Sequence, residues 1–134
     1  MTVVLVDSNV LLDVATRDPA WFEWSSRAMA TAGDQAPLAI NPIVYAEISI
    51  GFRRIEDLEE AVPQSLFRRE ALPYEAAFLA GKAFLSYRRR GGVRATPLPD
   101  FYIGAHAAVA GFRLLTRDTT RYRTYFPTVS LIAP

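Results

Sequence analysis

Two aspartates of this chain directly follow apolar segments that are typical of buried strands. Asp7 comes after the run VVLV, and Asp118 comes after LLTR. Because ligand crevices of parallel sheets lie outside the carboxyl ends of the strands, we expect both carboxylates at one functional edge. The alternative for Asp7 is a helix cap or turn residue, and the alternative for Asp118 is a turn residue.

Two further acids stand in apolar surroundings. Glu47 lies on a helical segment with Ile43 and Ile50 one turn away on the same face, which predicts a partly buried carboxylate. Such a group needs a cation or a metal, so an ion pair with an arginine is the alternative to a metal site. Asp100 follows the segment PLP and begins an apolar helix that runs through Ala110. Its alternative role is a helix N-cap.

Four converging carboxylates would repel one another unless a divalent cation neutralised them. The sequence has no cysteine and one histidine, so the available ligands are oxygens, and the predicted ion is Mg²⁺ or Mn²⁺. Such an ion activates water and stabilises charge on a phosphoryl group, which predicts metal-dependent cleavage of phosphodiester bonds. His106 is predicted to be structural rather than a general base, and Asp13 to be peripheral and solvated.

The basic residues favour a nucleic-acid partner. Lys82 is the only lysine, and the other fourteen basic residues are arginines, whose planar forks suit phosphate. They fall into two groups interleaved with aromatic residues, namely Arg88, Arg89, Arg90 and Arg94, and then Arg113, Arg117, Arg121 and Arg123. Codon bias in a GC-rich genome is the alternative explanation of the arginine excess.

Length and composition predict one folded domain covering residues 1–134. The chain has 51% hydrophobic, 22% charged and 12% aromatic residues, which excludes intrinsic disorder and two large domains. The opening segment has no basic leader and is interrupted by Asp7 and Asp13, so we expect neither a signal peptide nor a membrane span. A soluble, cytoplasmic protein is the expectation.

Hydrophobic periodicity predicts strands that alternate with helices. The predicted strands are 2–6, 38–40, 114–116 and 128–132. The predicted helices begin at Ser8, span 21–32 with a stop at Gly33, then 43–52, 55–62, 74–90 and 100–110. This alternation indicates an α/β fold with a mostly parallel sheet and helices on both faces.

Four sequence blocks resemble, in order, the acidic motifs of the PIN-domain ribonucleases, and among these the VapC-type toxins of bacterial toxin–antitoxin pairs. The blocks are VLVDSNVLLD (4–13), VYAEI (44–48), PDFYIGAHAAVAG (99–111), and LLTRD (114–118) followed by RYRTYFP (121–127). The resemblance covers nearly the whole chain. It implies a PIN-like three-layer α/β/α sandwich and a Mg²⁺- or Mn²⁺-dependent endoribonuclease.

The resemblance also implies roles for individual residues. Asp7 and Asp100 would be the principal metal ligands, with Asp118 completing the pocket and Glu47 binding metal or orienting water. Ser8, Asn9 and Thr116 match supporting polar positions, although Ser8 is equally well explained as a helix cap. The candidates for RNA binding are Arg88, Arg89, Arg90, Arg117 and Arg121.

The partners implied by the resemblance are RNA, a VapB-like antitoxin and a second copy of the chain, the toxin and antitoxin forming a hetero-oligomer. Trp21, Phe22 and Trp24 are candidate contacts, with a place in the core as the alternative. A catalytically silent RNA- or antitoxin-binding module is the main rival. A receiver domain fits poorly because Lys82 lies inside a helix, and a dehalogenase-like phosphatase because Asn9 stands where a second aspartate is needed.

Overall fold

The computed structural model describes residues 2–134, and at its centre five short strands form one sheet. The strands are β1 (Val4–Val6), β2 (Leu38–Ile40), β3 (Phe67–Arg69), β4 (Arg113–Leu115) and β5 (Leu131–Ile132). Their order across the sheet is β3-β2-β1-β4-β5, and every neighbouring pair is parallel. The predicted mostly parallel sheet is therefore parallel throughout.

Seven helices connect these strands: α1 (Ser8–Ala15), α2 (Phe22–Gln35), α3 (Pro42–Ser49), α4 (Ile55–Ala61), α5 (Tyr74–Arg89), α6 (Pro99–Ala110) and α7 (Thr120–Tyr125). The chain crosses from β1 to β3 in one direction and from β3 to β5 in the other. Right-handed crossovers therefore place α1–α4 on one face of the sheet and α5–α7 on the other. This arrangement confirms the predicted three-layer α/β/α class.

The central strands β1 and β4 are short and apolar except for Arg113 at the start of β4, and their apolar residues are buried on both faces of the sheet. Leu5, Val6, Leu114 and Leu115 have no accessible surface. The buried strands β1 and β4 therefore hold in place the residues that follow them at the functional edge of the sheet.

Helix caps begin two of the helices as the sequence predicts. Asp7 Oδ1 accepts a hydrogen bond from the Ser8 backbone N–H at the start of α1. Asn41 Oδ1 accepts from the Val44 backbone N–H, with Pro42 in the first turn of α3. The helix α6 ends at Gly111, whose backbone is left-handed with φ of 71°, a conformation that favours glycine.

Several predicted boundaries were wrong. The helix α2 continues through Gly33 to Gln35, because a glycine inside a hydrogen-bonded helix does not by itself end it. Pro99 rather than Asp100 begins α6, and β5 is shorter than predicted. The strand β3 and the helix α7 were not predicted, since β3 has a single apolar residue and α7 has only six residues.

The strand order creates a crevice between β1 and β4. After β1 the chain turns to one face of the sheet, and after the neighbouring β4 it turns to the other, which is a topological switch point. Val6 pairs with Leu115, and the Asp7 N–H donates to the Leu115 carbonyl at 2.9 Å. Asp7 and Thr116, the residues that follow these two strands, consequently lie side by side.

The three aromatic residues that are candidate partner contacts, Trp21, Phe22 and Trp24, are half-buried. The Trp21 and Trp24 rings meet edge to face at a centroid distance of 6.2 Å, and Trp24 packs against the core. Phe22 lies under the guanidinium of Arg17. Among residues 2–134, no helix has the combination of length and apolarity required to cross a membrane.

Candidate active site

Asp7 is the most buried of the four predicted acids, with 3% of its surface exposed. Its Oδ2 accepts hydrogen bonds from the Tyr122 hydroxyl at 2.8 Å and from the Thr116 hydroxyl at 2.9 Å. Burial raises the pKa of Asp7, and the negative charge of Asp100 raises it further, against the donated hydrogen bonds. The carboxylate is thus held in place but remains short of positive charge.

Glu47 lies on α3 and is half-buried, as predicted. The Ser8 hydroxyl donates to Glu47 Oε1 at 2.8 Å, so its partner is a neutral hydroxyl and the alternative of an arginine ion pair is wrong. Burial raises the pKa of Glu47, and the charges of Asp7 and Asp100 add to that shift. The electrostatic coupling shows that these three acids face a common region.

Asp100 is in the first turn of α6 but does not cap it, because Leu98 holds the N-cap position. Its Oδ2 is 3.4 Å from Arg121 Nη1, and its Oδ1 is 3.4 Å from the Tyr122 hydroxyl. Burial raises the pKa of Asp100 and the charge of Asp118 raises it further, while the cation of Arg121 opposes both. Asp100 therefore keeps a net preference for a further cation.

Asp118 follows β4, while the supporting polar residues Ser8, Asn9 and Thr116 lie around Asp7. The Asp118 side chain is exposed, and its backbone N–H donates to the Thr116 hydroxyl at 3.2 Å. Asn9 Nδ2 donates to the same hydroxyl at 3.2 Å. Ser8, Asn9 and Thr116 all contact the acids or one another, whereas Asp118 reaches the others only through its charge on Asp100.

The donor set suits a hard divalent cation, since it consists of carboxylate and hydroxyl oxygens with uncompensated negative charge. The acids are not assembled into a closed cage, however. Among residues 2–134, no three acidic or histidine side chains approach closely enough to hold an ion in their present positions. Binding of a divalent cation would therefore require the carboxylates to move closer together.

Tyr122 was missed by the sequence reasoning. It is 1% exposed on α7, and its hydroxyl contacts both Asp7 and Asp100. Burial and the charges of these acids raise its pKa well above the usual value, so the hydroxyl stays protonated and donates. Only the motif RYRTYFP marked the segment, because α7 is too short for periodicity to show which of its aromatic residues turns inward.

Asp13 and Arg117 form an ion pair below the site, contrary to the prediction that Asp13 is solvated. Asp13 is 3% exposed and accepts from Arg117 Nε at 2.7 Å, from Arg117 Nη2 at 3.1 Å and from the Ser25 hydroxyl at 2.8 Å. The hydrogen bonds to Asp13 and its negative charge raise the pKa of Arg117. The Arg117 guanidinium is engaged in the fold.

One arginine from each sequence cluster lies on a shared group of aromatic rings, and one of the two pairs with Asp100. Arg90, at the end of α5, lies over the Tyr125 ring of α7 at 5.4 Å. Arg121 of α7 lies over Tyr87 of α5 at 5.7 Å and over Phe101 of α6 at 5.6 Å. Aromatic contacts thus set guanidinium groups from both sequence clusters at one rim of the acids.

His106 is remote from this chemistry. It is buried on α6, and its Nδ1 is 3.0 Å from Asn41 Nδ2. Burial lowers its pKa, so the neutral ring is favoured. The prediction of a satisfied structural histidine is confirmed.

The sequence profile of the PIN domain matches residues 4–127. This chain belongs to the PIN domain family. Solved structures show the same fold: a chain of VapBC2 from Rickettsia felis, bound to a DNA fragment from their promoter, has a TM-score of 0.75 at 16% identity, with 98% of each chain covered. The corresponding values are 0.70, 19% and 96% of each chain for FitAcB from Neisseria gonorrhoeae, and 0.69, 22% and 94% for a toxin-antitoxin complex from Klebsiella pneumoniae. No curated protein sequence matches the chain. The predicted PIN domain is confirmed in family and fold.

Proposed function

We propose that this PIN domain is a Mg²⁺- or Mn²⁺-dependent endoribonuclease and the toxin of a toxin–antitoxin pair, with residues 1–134 acting as one domain. The carrying observation is that Asp7, Glu47 and Asp100 share one crevice at the switch point between β1 and β4, where the Ser8 hydroxyl lies between Asp7 and Glu47 and the Tyr122 hydroxyl between Asp7 and Asp100. Three half-buried or buried carboxylates with raised pKa values are costly unless a cation joins them. Three such carboxylates do not stabilise the fold, so we infer that they are kept for binding a cation.

Within this proposal Asp7 and Asp100 hold the ion, and Glu47 and Asp118 complete the acidic pocket. When bound, the divalent ion supplies an activated water and charge neutralisation at the scissile phosphate. Glu47 orients that water, held by the Ser8 hydroxyl. Asn9 and Thr116 fix the Asp7 carboxylate from below.

The arginine rim is the proposed RNA-binding surface. Arg88, Arg89 and Arg90 are exposed at the end of α5, and Arg121 joins them beside Asp100. Their charges would contact the RNA backbone while the acids attract the metal. Arg117 is left out of this surface because its Nε and Nη2 both donate to Asp13.

An antitoxin is the proposed protein partner. The similar solved structures include toxin–antitoxin complexes, and the uncompensated acids offer a basic side chain a place to bind. Expression of the chain in bacteria is expected to arrest growth, and Asp7→Asn to abolish the arrest. Co-expression of a cognate antitoxin is expected to restore growth.

A homodimer through α5 is also proposed. Tyr74, Phe78 and Leu85 are exposed along one stripe of this helix, and Gly81 on the same stripe has open space above it. A twofold axis midway between residues 79 and 80 pairs Phe78 of one copy with Gly81 of the other, and Tyr74 with Leu85. Phe78→Glu is expected to give a monomer by light scattering, whereas Ile50→Glu, at an exposed apolar residue that caps α3, leaves the dimer intact.

The deciding experiment is cleavage of a mixed cellular RNA pool by the purified chain in Mg²⁺ or Mn²⁺, with EDTA as the reference. Cleavage is expected to need the metal and to fall by at least about 100-fold in Asp7→Asn and Asp100→Asn. Asp34→Asn, an exposed position on α2, is the matched control and retains the wild-type rate.

Folded, antitoxin-free protein that cuts nothing with either metal contradicts the nuclease proposal. RNA binding that persists in EDTA without any cleavage then supports the rival, a silent binding module.

A further inference from the structure

The Tyr122 hydroxyl lies between two acids that come from distant parts of the chain. It donates to Asp7 Oδ2 at 2.8 Å and stands 3.4 Å from Asp100 Oδ1. Asp7 follows β1, Asp100 begins α6, and Tyr122 belongs to α7. Within residues 2–134, no other side chain hydrogen-bonds with both of these carboxylates.

The tyrosine ring is fixed, so the hydroxyl is a rigid reference point. Tyr122 is 1% exposed, and α7 packs against α6, the helix that carries Asp100. Its sequence neighbour Arg121 pairs with the other oxygen of Asp100 at 3.4 Å. One short helix thus contacts both oxygens of Asp100 and one oxygen of Asp7.

These contacts fix the orientation of the carboxylates that would bind an ion. Asp7 Oδ2 is occupied by the Tyr122 and Thr116 hydroxyls, and Asp7 Oδ1 by the Ser8 N–H. A carboxylate whose rotamer is set by donors has less orientational freedom to lose when it binds a metal, and partners of metal ligands commonly contribute 10–100-fold to affinity. The side chain that touches both acids is best placed to set their separation.

We infer that Tyr122 is a positioning residue that aligns Asp7 and Asp100 for one shared divalent ion. The inference rests on the proposed function, because it assigns the two acids to the same metal. Thr116 contacts the same oxygen of Asp7 but not Asp100, so it restrains one ligand where Tyr122 restrains two.

The test is the Mn²⁺ affinity of the purified full chain, measured by calorimetry. Tyr122→Phe keeps the buried ring and removes the hydroxyl, and we expect about 10- to 100-fold weaker binding. Tyr125→Phe, on the same helix and in contact with Phe101, is the matched control and keeps the wild-type affinity. Thr116→Val is expected to weaken binding less than Tyr122→Phe does.

Mn²⁺ affinity of Tyr122→Phe within twofold of wild type, or tighter, overturns the inference while leaving the nuclease proposal intact. A wild-type chain that binds no Mn²⁺ overturns both. A readout without substitution is ¹⁹F NMR of the chain labelled with 3-fluorotyrosine, which has six tyrosines. Mg²⁺ is expected to shift one signal much more than the other five, and equal small shifts overturn the inference.

Discussion

Ser8 links the first helix to the third by donating its hydroxyl to Glu47 at 2.8 Å. The same residue donates its backbone N–H to Asp7 at 2.7 Å. Ser8 therefore contacts two of the acids at once, although its position next to Asp7 is equally typical of a helix-capping pair. The hydrogen bond to Glu47 shows that Ser8 contacts the acidic site and is not merely a residue at the start of a helix.

Ser8→Ala is expected to lower the turnover number for RNA about tenfold, because Glu47 loses the donor that orients it. Stability should change by no more than about 1 kcal/mol, since the half-buried carboxylate can turn to water. Kinetics with a fluorescent RNA and urea denaturation measure the two effects. The control is Ser49→Ala on α3, whose hydroxyl bonds only to its own helix. Equal rates in the two variants contradict this role of Ser8.

The Asp13–Arg117 pair should respond asymmetrically to substitution. Arg117→Gln leaves the Asp13 carboxylate buried with only the Ser25 hydroxyl, and we expect a cost of about 3–5 kcal/mol. Asp13→Asn leaves the charge on Arg117, which is 31% exposed and can be hydrated, so the expected cost is about 1–3 kcal/mol. Urea denaturation measures both. The exposed pair of Arg54 and Glu56 provides the control, since Arg54→Gln should cost less than about 1 kcal/mol. A larger loss in Asp13→Asn than in Arg117→Gln opposes this account.

The arginine rim should change the salt dependence of RNA binding. Removing one contact with a single-stranded backbone lowers the slope of log K against log salt by about 0.7. We expect that decrease for Arg121→Gln and for Arg90→Gln, measured by fluorescence anisotropy in EDTA to prevent cleavage. Arg113→Gln is the control, because Arg113 begins β4 and so lies at the opposite edge of the sheet. An unchanged slope in both rim variants rules out this surface.

His106 should titrate below its usual range. Asn41 Oδ1 is committed to the Val44 N–H, so Nδ2 faces His106 Nδ1, and the ring must accept rather than donate. A lowered pKa in the folded state means that the stabilisation is present above the unfolded value of about 6.5 and is lost as pH falls through the folded value. His106 is the only histidine, so a single NMR signal reports its titration.

Two variants check the sign of this shift. Asn41→Asp retains a capping oxygen and places a negative charge beside the ring, which should raise the pKa of His106 above the wild-type value. Glu70 raises that pKa by its charge, so Glu70→Gln should lower it slightly. A wild-type midpoint at or above 6.5 excludes the proposed neutral pairing.

The local features of the fold could be predicted because they depend on neighbouring residues. The run VVLV followed by Asp7 predicts a strand and a helix cap, and Asn41-Pro42 predicts the start of α3; both are confirmed. The strand β3 could not be predicted, because Arg68 and Arg69 become strand residues only through pairing with β2. For α7 the difficulty was length, since six residues carry too little periodicity.

The types of side chain and their place along the chain were determined by the sequence. Four of its acids follow apolar strands or stand in apolar helices, and it has no thiol, one histidine and an excess of arginine, which together define the kind of chemistry. Only the tertiary structure decided the distances. The fold places the Tyr122 hydroxyl between Asp7 and Asp100 and pairs Arg117 with Asp13. It also places Arg90 and Arg121 on one cluster of aromatic rings. Such contacts span up to 115 positions along the chain. They depend on the order of the parallel strands across the sheet, and a local pattern of residues does not encode that order.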